Sequence, residues 1–349
     1  MNVYVWSTGQ DDNIGDSLLR RAYLDSLRPL GSLEIWIGKA SSDFQTGLGL
    51  KDRDRTWRSF LNWYISAMVN AFRGKSTVAI NAGEVPVSRR GAAKMLPLAV
   101  LLIVCKMTGR DRIWIGASVP NVHPVFGLPY RLVARLCNVI RWRDRRSEHN
   151  MGVRGVSPDW AFALGTEAGK WNELQTRTRL GVVLRGDRPE PSQEWKYWIR
   201  QLADDLHLRL TFVVQVRRDA QRAESLAAEL GGDLLEWHMS DHASQEAAVR
   251  QLYSSCALVI GDRLHGLIVA ASEGAVPLGW VESSAGKIGR HFEVIGLNWV
   301  AVHEGSDATA LTQMDAEDLR QKSAELSKAI SSARTWISAT GTMLSRSAQ

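Results

Sequence analysis

Apolar residues along the chain gather into short runs rich in Val, Ile, Leu and Trp, and helical spacing fills the stretches between them. A first series comprises "NVYVW" (2–6), "LEIWI" (33–37), "TVAIN" (77–81), "RIWIG" (112–116) and "VIRWR" (139–143); a second comprises "LGVVL" (180–184), "LRLTFVV" (208–214), "ALVIG" (257–261) and "VPLGW" (276–280). Alternation of this kind predicts βαβ units on mostly parallel sheets. The gap between the series predicts two such sheets, so the expected fold class is α/β, with two Rossmann-like doubly wound domains facing a cleft. Periodicity lapses over 165–178, which sets an N-terminal α/β domain over 1–168 and a C-terminal one over 175–310. The remaining 311–349 reads as a mostly helical segment, broken near Gly341, with a polar tail. Ligands of open α/β sheets bind beyond the carboxyl ends of the strands, so polar residues at those ends carry the functional question.

The length of 349 residues exceeds what one core usually organises, in keeping with two domains. A net charge of +6 favours an anionic partner without naming it. Cys105, Cys137 and Cys256 stand apart beside apolar residues, which predicts reduced structural thiols and a cytoplasmic setting. The opening residues show no signal-peptide pattern. "MLPLAVLLIVC" (95–105) is too short to span a bilayer and reads as a core helix. No metal-ligand spacing, phosphate loop, G-x-G-x-x-G or G-x-S-x-G pattern is present. "RWRDRRS" (141–147) and "KDRDRTWR" (51–58) read as solvated faces rather than a nucleic-acid module, and most of the 14 tryptophans as packing.

Three constellations fall at strand ends. In "VIGDRLHGLIVAASEGAVPLGW" (259–280), Leu264, Leu267, Ile268 and Ala271 form an apolar helical face, and Arg263 and His265 lie in the first turn. Helix N-termini attract anions, Arg263 adds a planar fork, and Gly266 permits close approach to the backbone. The competing structural reading pairs Arg263 with Asp262 and buries His265. In "DDNIGDSLLRRAYLDSL" (11–27), Asn13, Gly15 and Asp16 form a turn before an amphipathic helix, and Asp16 is either a helix cap or a functional carboxylate. In "GVVLRGDRP" (181–189), Arg185 leaves a strand on the same rim as Arg263, and the two could hold two anionic groups of one small ligand.

With "NIGDSLL", "RDRRS" followed by "SPDWAF", "VVLRGDR" and the long stretch ending in "PLGW" in this order, the chain resembles the polysaccharide pyruvyl transferase family over about residues 10–290. "INAGEV" (80–85) departs from the paired-glycine turn common there. The resemblance implies a GT-B-like fold and transfer of pyruvate from phosphoenolpyruvate, a co-substrate with no further cofactor, onto a sugar hydroxyl pair as a ketal. The acceptor it implies is a cell-surface or exopolysaccharide precursor, free or as a lipid-linked oligosaccharide, handled in the cytoplasm or peripherally at the inner face of the membrane. His265 is then the expected acid, because an imidazole exchanges protons near neutral pH. Arg185, Arg263, Leu264, Gly266 and Lys287 fall to the donor, although Lys287 also reads as a surface lysine. Asp16 is the group expected to orient or deprotonate the acceptor, with Asn13 and Gly15 beside it. The alternatives are a GT-B glycosyltransferase using a nucleotide sugar, distinguished by which donor protects the protein thermally, and a non-catalytic glycan-binding protein, against which the matched strand-end polar residues argue. No nucleic-acid partner and no metal are expected.

Overall fold

The computed structural model describes residues 1–238, 240–281, 286–303 and 314–347. Two compact units divide the chain: one holds Met1–Asp11, Asp16–Trp160 and Thr335–Gln349, the other Asp12–Gly15 and Ala161–Arg334.

The first unit alternates strands and helices in chain order: β1 (Asn2–Trp6), α1 (Ile14–Leu27), β2 (Ser32–Trp36), α2 (Ser42–Gly47), β3 (Arg55–Trp57), α3 (Phe60–Phe72), β4 (Ser76–Ala79), β5 (Gly83–Glu84), α4 (Arg89–Met107), β6 (Arg112–Ser118), α5 (Leu128–Leu136), β7 (Val139–Trp142) and α6 (Arg145–Met151). Its sheet runs β3-β2-β1-β4-β6, with β5 and β7 also paired to β6, and every pairing is parallel. Parallel strands covered on both faces need nearly unbroken apolar runs, which is why "VYV" and "IWI" do not alternate with polar residues. Ser59 and Ser88 cap α3 and α4, accepting hydrogen bonds from the backbone N–H groups of Asn62 and Gly91. Inner residues of α3, α4 and α5, among them Trp63, Leu98 and Val133, join Tyr4, Val78 and Trp114 of the sheet in one core.

The second unit contains β8 (Arg179–Val183), α7 (Gln193–Asp205), β9 (Arg209–Val213), α8 (Ala220–Leu230), β10 (Asp233–Leu235), α9 (His242–Tyr253), β11 (Cys256–Gly261), α10 (Leu264–Ser272), β12 (Val276–Val281), α11 (Lys287–Glu293), β13 (Ala301–His303) and the start of α12 (Ala316–Ser347). Its parallel sheet runs β10-β9-β8-β11-β12-β13. Renumbered within the unit this is 3-2-1-4-5-6, the Rossmann order, whose direction reverses between β8 and β11. The fold is the α/β class with two doubly wound units expected from the sequence.

Several details depart from the sequence reading. The units divide after Trp160, not within 165–178, because the chain just ahead of that mostly exposed stretch already packs on the second unit. Phe162 is buried edge-on to Phe292, and Arg334 donates to the carbonyls of Phe162, Leu164 and Thr166. Helix α12 runs through Gly341 without a break; a lone interior glycine costs only about 1 kcal/mol, too little to end a helix this long. Residues 311–313 of the C-terminal segment, and 348–349 of its tail, lie outside the described residues. "RWRDRRS" is not a solvated face: Trp142, Arg143, Asp144 and Ser147 are buried. Arg143 reaches Asp159 at 2.6 Å, while Asp144 caps α6 and accepts the hydroxyl of Ser118. "KDRDRTWR" is mostly exposed, as expected. Cys105 and Cys256 are buried and Cys137 half-buried; burial pushes all three thiols up to about 12, so they are structural groups.

Candidate functional site

The carboxyl ends of β8, β9, β11 and β12 surround a cavity of about 360 Å³ within the second unit, at the small end of the roughly 300–1,000 Å³ typical of small-molecule sites. It lies where the strand order reverses. Its walls carry Arg185, Arg188, Arg222, Arg263 and Lys287, with Asp262 and Glu190 as the only carboxylates among the described lining residues. His265, Asn13, Leu264, Gln215 and Trp280 also line it. Cations outnumber carboxylates along this lining, a balance that attracts anionic groups.

Two carboxylates tie the strand exits together. Asp262 accepts a hydrogen bond from the backbone N–H of Arg185 at 2.8 Å, and its own N–H donates to the Val183 carbonyl at 3.2 Å. Asp219 is buried and accepts from the Gly186 N–H at 2.8 Å. It also takes both arms of the Arg263 guanidinium, at 2.7 Å to Nε and 2.5 Å to Nη2. The fork expected for a donor is therefore engaged by Asp219, and the Asp262 pairing weighed from sequence is not the one formed. Arg185 is bidentate with Asp187, at 2.8 and 2.7 Å. That hydrogen bonding raises the Arg185 guanidinium and holds the Asp187 carboxyl well below the usual carboxylate range.

Asp262 itself is shifted the other way. Burial, which penalises its charged form, pushes its carboxyl up to about 6, against the opposing effects of the Arg185 backbone bond and the nearby guanidinium groups of Arg263 and Arg185. A carboxyl shifted in this way can hold or release a proton near neutral pH.

Arg263 is the N-cap of α10 and supplies no side-chain acceptor to that helix. His265, in the first turn, is 7% exposed, and all of α10 is buried rather than one face alone. A Cβ on Gly15 would come within 2.5 Å of the His265 Cβ, so the glycine exists to let the imidazole lie there. Gly266 does not line the cavity: a Cβ there would meet Gln215 Oε1 at 2.6 Å and Val183 at 3.0 Å, so the close approach it permits is internal packing. Lys287 is the first residue of α11, exposed at the cavity.

The stretch Asp12–Gly15 belongs to this unit through its bonds to the exit of β9. Asn13 bridges Val216, the Asp12 carbonyl accepts the Arg217 N–H, and the Asp12 carboxylate takes Arg218 at 2.7 Å on both oxygens. Asn13 Oδ1 accepts from the Gly15 N–H at 2.9 Å, opening α1. Asp16 belongs to the first unit, where Oδ2 accepts from the Gln10 N–H at 2.7 Å and Oδ1 lies 3.5 Å from Arg20.

Sequence reasoning missed Asp219, Gln215, Arg188, Arg222 and Trp280 as site residues, and treated Asp262 only as an ion-pair partner. Gln215 is buried at the cavity wall, and its Oε1 has no hydrogen-bond partner among the described residues. The available signal was the rule already applied to Arg185 and Arg263, since "VVQVRRD" is also a strand exit of the same sheet.

Two doubly wound parallel units, one with a cavity lined by arginine and lysine at its switch point, define a GT-B-like α/β protein. The chain belongs to the polysaccharide pyruvyl transferase family, which it matches over residues 13–278. It is accordingly a transferase of polysaccharide modification. Among solved structures it is similar to Anabaena Alr3699/HepE in complex with UDP-glucose, at 12% identity and TM-score 0.58 over 99% of this chain and 98% of that one. It is also similar to S. aureus MnaA with UDP, at 11% identity and TM-score 0.55 over 94% and 91%. A third similar structure is a Thermobaculum terrenum O-GlcNAc transferase, at 11% identity and TM-score 0.53 over 100% and 67%. At such identities the likeness establishes the fold alone. No curated protein matches the sequence.

Proposed function

We propose that the protein transfers pyruvate from phosphoenolpyruvate onto two hydroxyls of a sugar in a polysaccharide precursor, forming a ketal. The observation that carries this reading is the cavity: five cations and an imidazole converge at the switch point of a Rossmann sheet in a chain of this family. Phosphoenolpyruvate has a phosphate and a carboxylate, and the first turn of α10 with Arg188, Arg222 and Lys287 supplies donors for both. Arg185 and Arg263 stand at the same wall with their guanidinium groups held in fixed orientation by Asp187 and Asp219, which suits preorganised binding.

In the proposed reaction His265 protonates the methylene carbon of phosphoenolpyruvate, and a sugar hydroxyl adds to the cation developing at C2. The C–O bond to phosphate then breaks, and a second hydroxyl closes the ketal. Of the two hydroxyl protons released, one replenishes the acid and the other leaves with inorganic phosphate. Asp262 is the proposed acceptor of a hydroxyl proton, and Asp16 retains its proposed part in orienting the acceptor, a free or lipid-linked sugar. No cofactor or metal is assigned a part.

Trp280 gives a nucleotide sugar a specific claim as the rival donor, because it lines the cavity and stacks on Trp198 with centroids 5.7 Å apart. An aromatic wall of this kind can hold a base or sugar ring. The test is thermal stabilisation by phosphoenolpyruvate beside uridine and guanosine diphosphate sugars, followed by phosphate release and NMR detection of the ketal with a diol acceptor. Lys287→Ala is the informative donor-site variant, since Arg263→Ala would also release the buried Asp219. Stabilisation by phosphoenolpyruvate that weakens in Lys287→Ala supports the reading. Stabilisation only by a nucleotide sugar overturns it.

A further inference from the structure

Helix α4 is apolar on two opposite sides. Leu98, Leu101 and Cys105 face the core, as expected of a core helix, but Leu96, Val100, Ile103 and Met107 lie along the other side, between 43% and 80% exposed. Their spacing of i, i+4, i+7 and i+11 aligns them in one stripe. Helix α4 packs against both α3 and α5, and each neighbour repeats the pattern. On α3 the stripe is Leu61, Ile65, Val69 and Phe72; on α5 it is Leu128 and Leu132. Scattered apolar residues on a surface are ordinary, whereas stripes on three adjacent helices mark a contact face.

The charge on these helices identifies what the face meets. They contain Arg89, Arg90, Lys94, Lys106, Arg131 and Arg135 and not one Asp or Glu. Arg89 precedes Leu96 by seven positions and Arg135 follows Leu128 by seven, so exposed cations continue the stripes of α4 and α5. A two-fold pairing with a second copy would set this face against itself, cation toward cation. No helix among the described residues is long and apolar enough to cross a membrane, so the face is built to rest on a surface rather than to span one.

We infer that the outer face of α3, α4 and α5 docks on a lipid bilayer bearing anionic headgroups, with the apolar stripes entering the headgroup boundary and the arginines meeting the headgroup charge. This goes beyond the transfer reaction and stands on separate residues. In the first unit it also fits the proposed acceptor, a sugar that a lipid can carry.

The test is co-sedimentation of the full chain with phosphatidylcholine vesicles, with and without phosphatidylglycerol, alongside sedimentation velocity without lipid. Expected is binding to the anionic vesicles that falls with salt and drops about tenfold or more in Val100→Glu/Ile103→Glu and in Arg89→Glu/Arg135→Glu. Both variants alter solvent-facing positions, and unchanged thermal melting verifies their folding. Equal weak binding to both vesicle types overturns the inference. So does a dimer in the absence of lipid that Val100→Glu/Ile103→Glu dissociates, which would make the face an interface between copies. Neither result bears on donor binding, so failure here is distinguishable from failure of the transfer reaction.

Discussion

Both units run their sheets in the order third, second, first, fourth, and in both a helix follows nearly every strand. Their surfaces differ. The second unit leaves one large apolar side chain exposed among its described residues, Tyr197, and gathers arginines at its strand exits around a cavity. The first unit instead exposes apolar stripes on α3, α4 and α5, and pairs Arg143 with Asp159 in its interior. The same scaffold thus presents a cavity at its strand exits in one case and exposed apolar stripes on its helices in the other. What decides between them is the residues at strand exits and on outer helix faces, which the sheet does not constrain.

The contrast breaks most directly at His265. In His265→Asn, kcat should fall by about 10²–10⁴-fold while the thermal shift caused by phosphoenolpyruvate persists, because general acid catalysis is lost and donor binding is not. Near-wild-type turnover would remove the histidine from the chemistry.

Next in size is Arg263→Ala, which tests whether this arginine is a strut as well as a donor group. It would strand the buried Asp219 carboxylate, at a cost of about 3–5 kcal/mol in unfolding free energy. Adding Asp219→Asn should restore a large part of that loss in urea denaturation. An Arg263→Ala protein as stable as wild type would show that the pair carries no structural weight.

Gly15→Ala probes the support of the imidazole. A Cβ within 2.5 Å of the His265 Cβ must displace one of the two backbones, costing about 1–3 kcal/mol and moving the ring off its position. Turnover should fall more than donor affinity. Unchanged kcat would mean the ring tolerates displacement.

How much of this was legible in the sequence follows from the range of each signal. All nine expected strands formed, because each is a run of four or more residues with its own apolar pattern. The strands β3, β5, β10 and β13 went unseen; they have two or three residues each, too few to show any period. The strand-exit rule found Arg185, Arg263 and His265 at one cavity. It could not supply their partners, since Asp219 is brought to Arg263 across 44 positions of chain. Likewise "RDRRS" looked solvated because Asp159, which makes its burial tolerable, lies in another loop. Helix α4 reads as core from its composition, and only the exposure of Leu96, Val100, Ile103 and Met107 reveals the stripe.

The smallest effect belongs to Asp262→Asn, and its sign is what makes it useful. Burial holds the Asp262 carboxyl at about 6 in the folded protein, above the ordinary value of about 4 in an unfolded chain. Below pH 4 it is protonated in both states and contributes nothing. As pH rises from 4 to 6 the unfolded chain ionises first, so the wild-type protein loses stability across that window and stays penalised above it. Asparagine keeps an oxygen to accept the Arg185 N–H but cannot ionise. The variant should therefore gain on wild type as pH increases, reaching about 1–2 kcal/mol above pH 7 once solvent screening of a half-buried group is allowed for. If Asp262 also takes the hydroxyl proton, the variant should lose the rise in kcat near pH 6 as well. Paired thermal melts at pH 4 and pH 7.5 decide the first point, and a difference between variant and wild type that does not change with pH would mean that the carboxyl titrates normally. A pH–rate profile decides the second: a rise that survives in the variant would leave Asp262 as the clamp on Arg185 and move the base to another group.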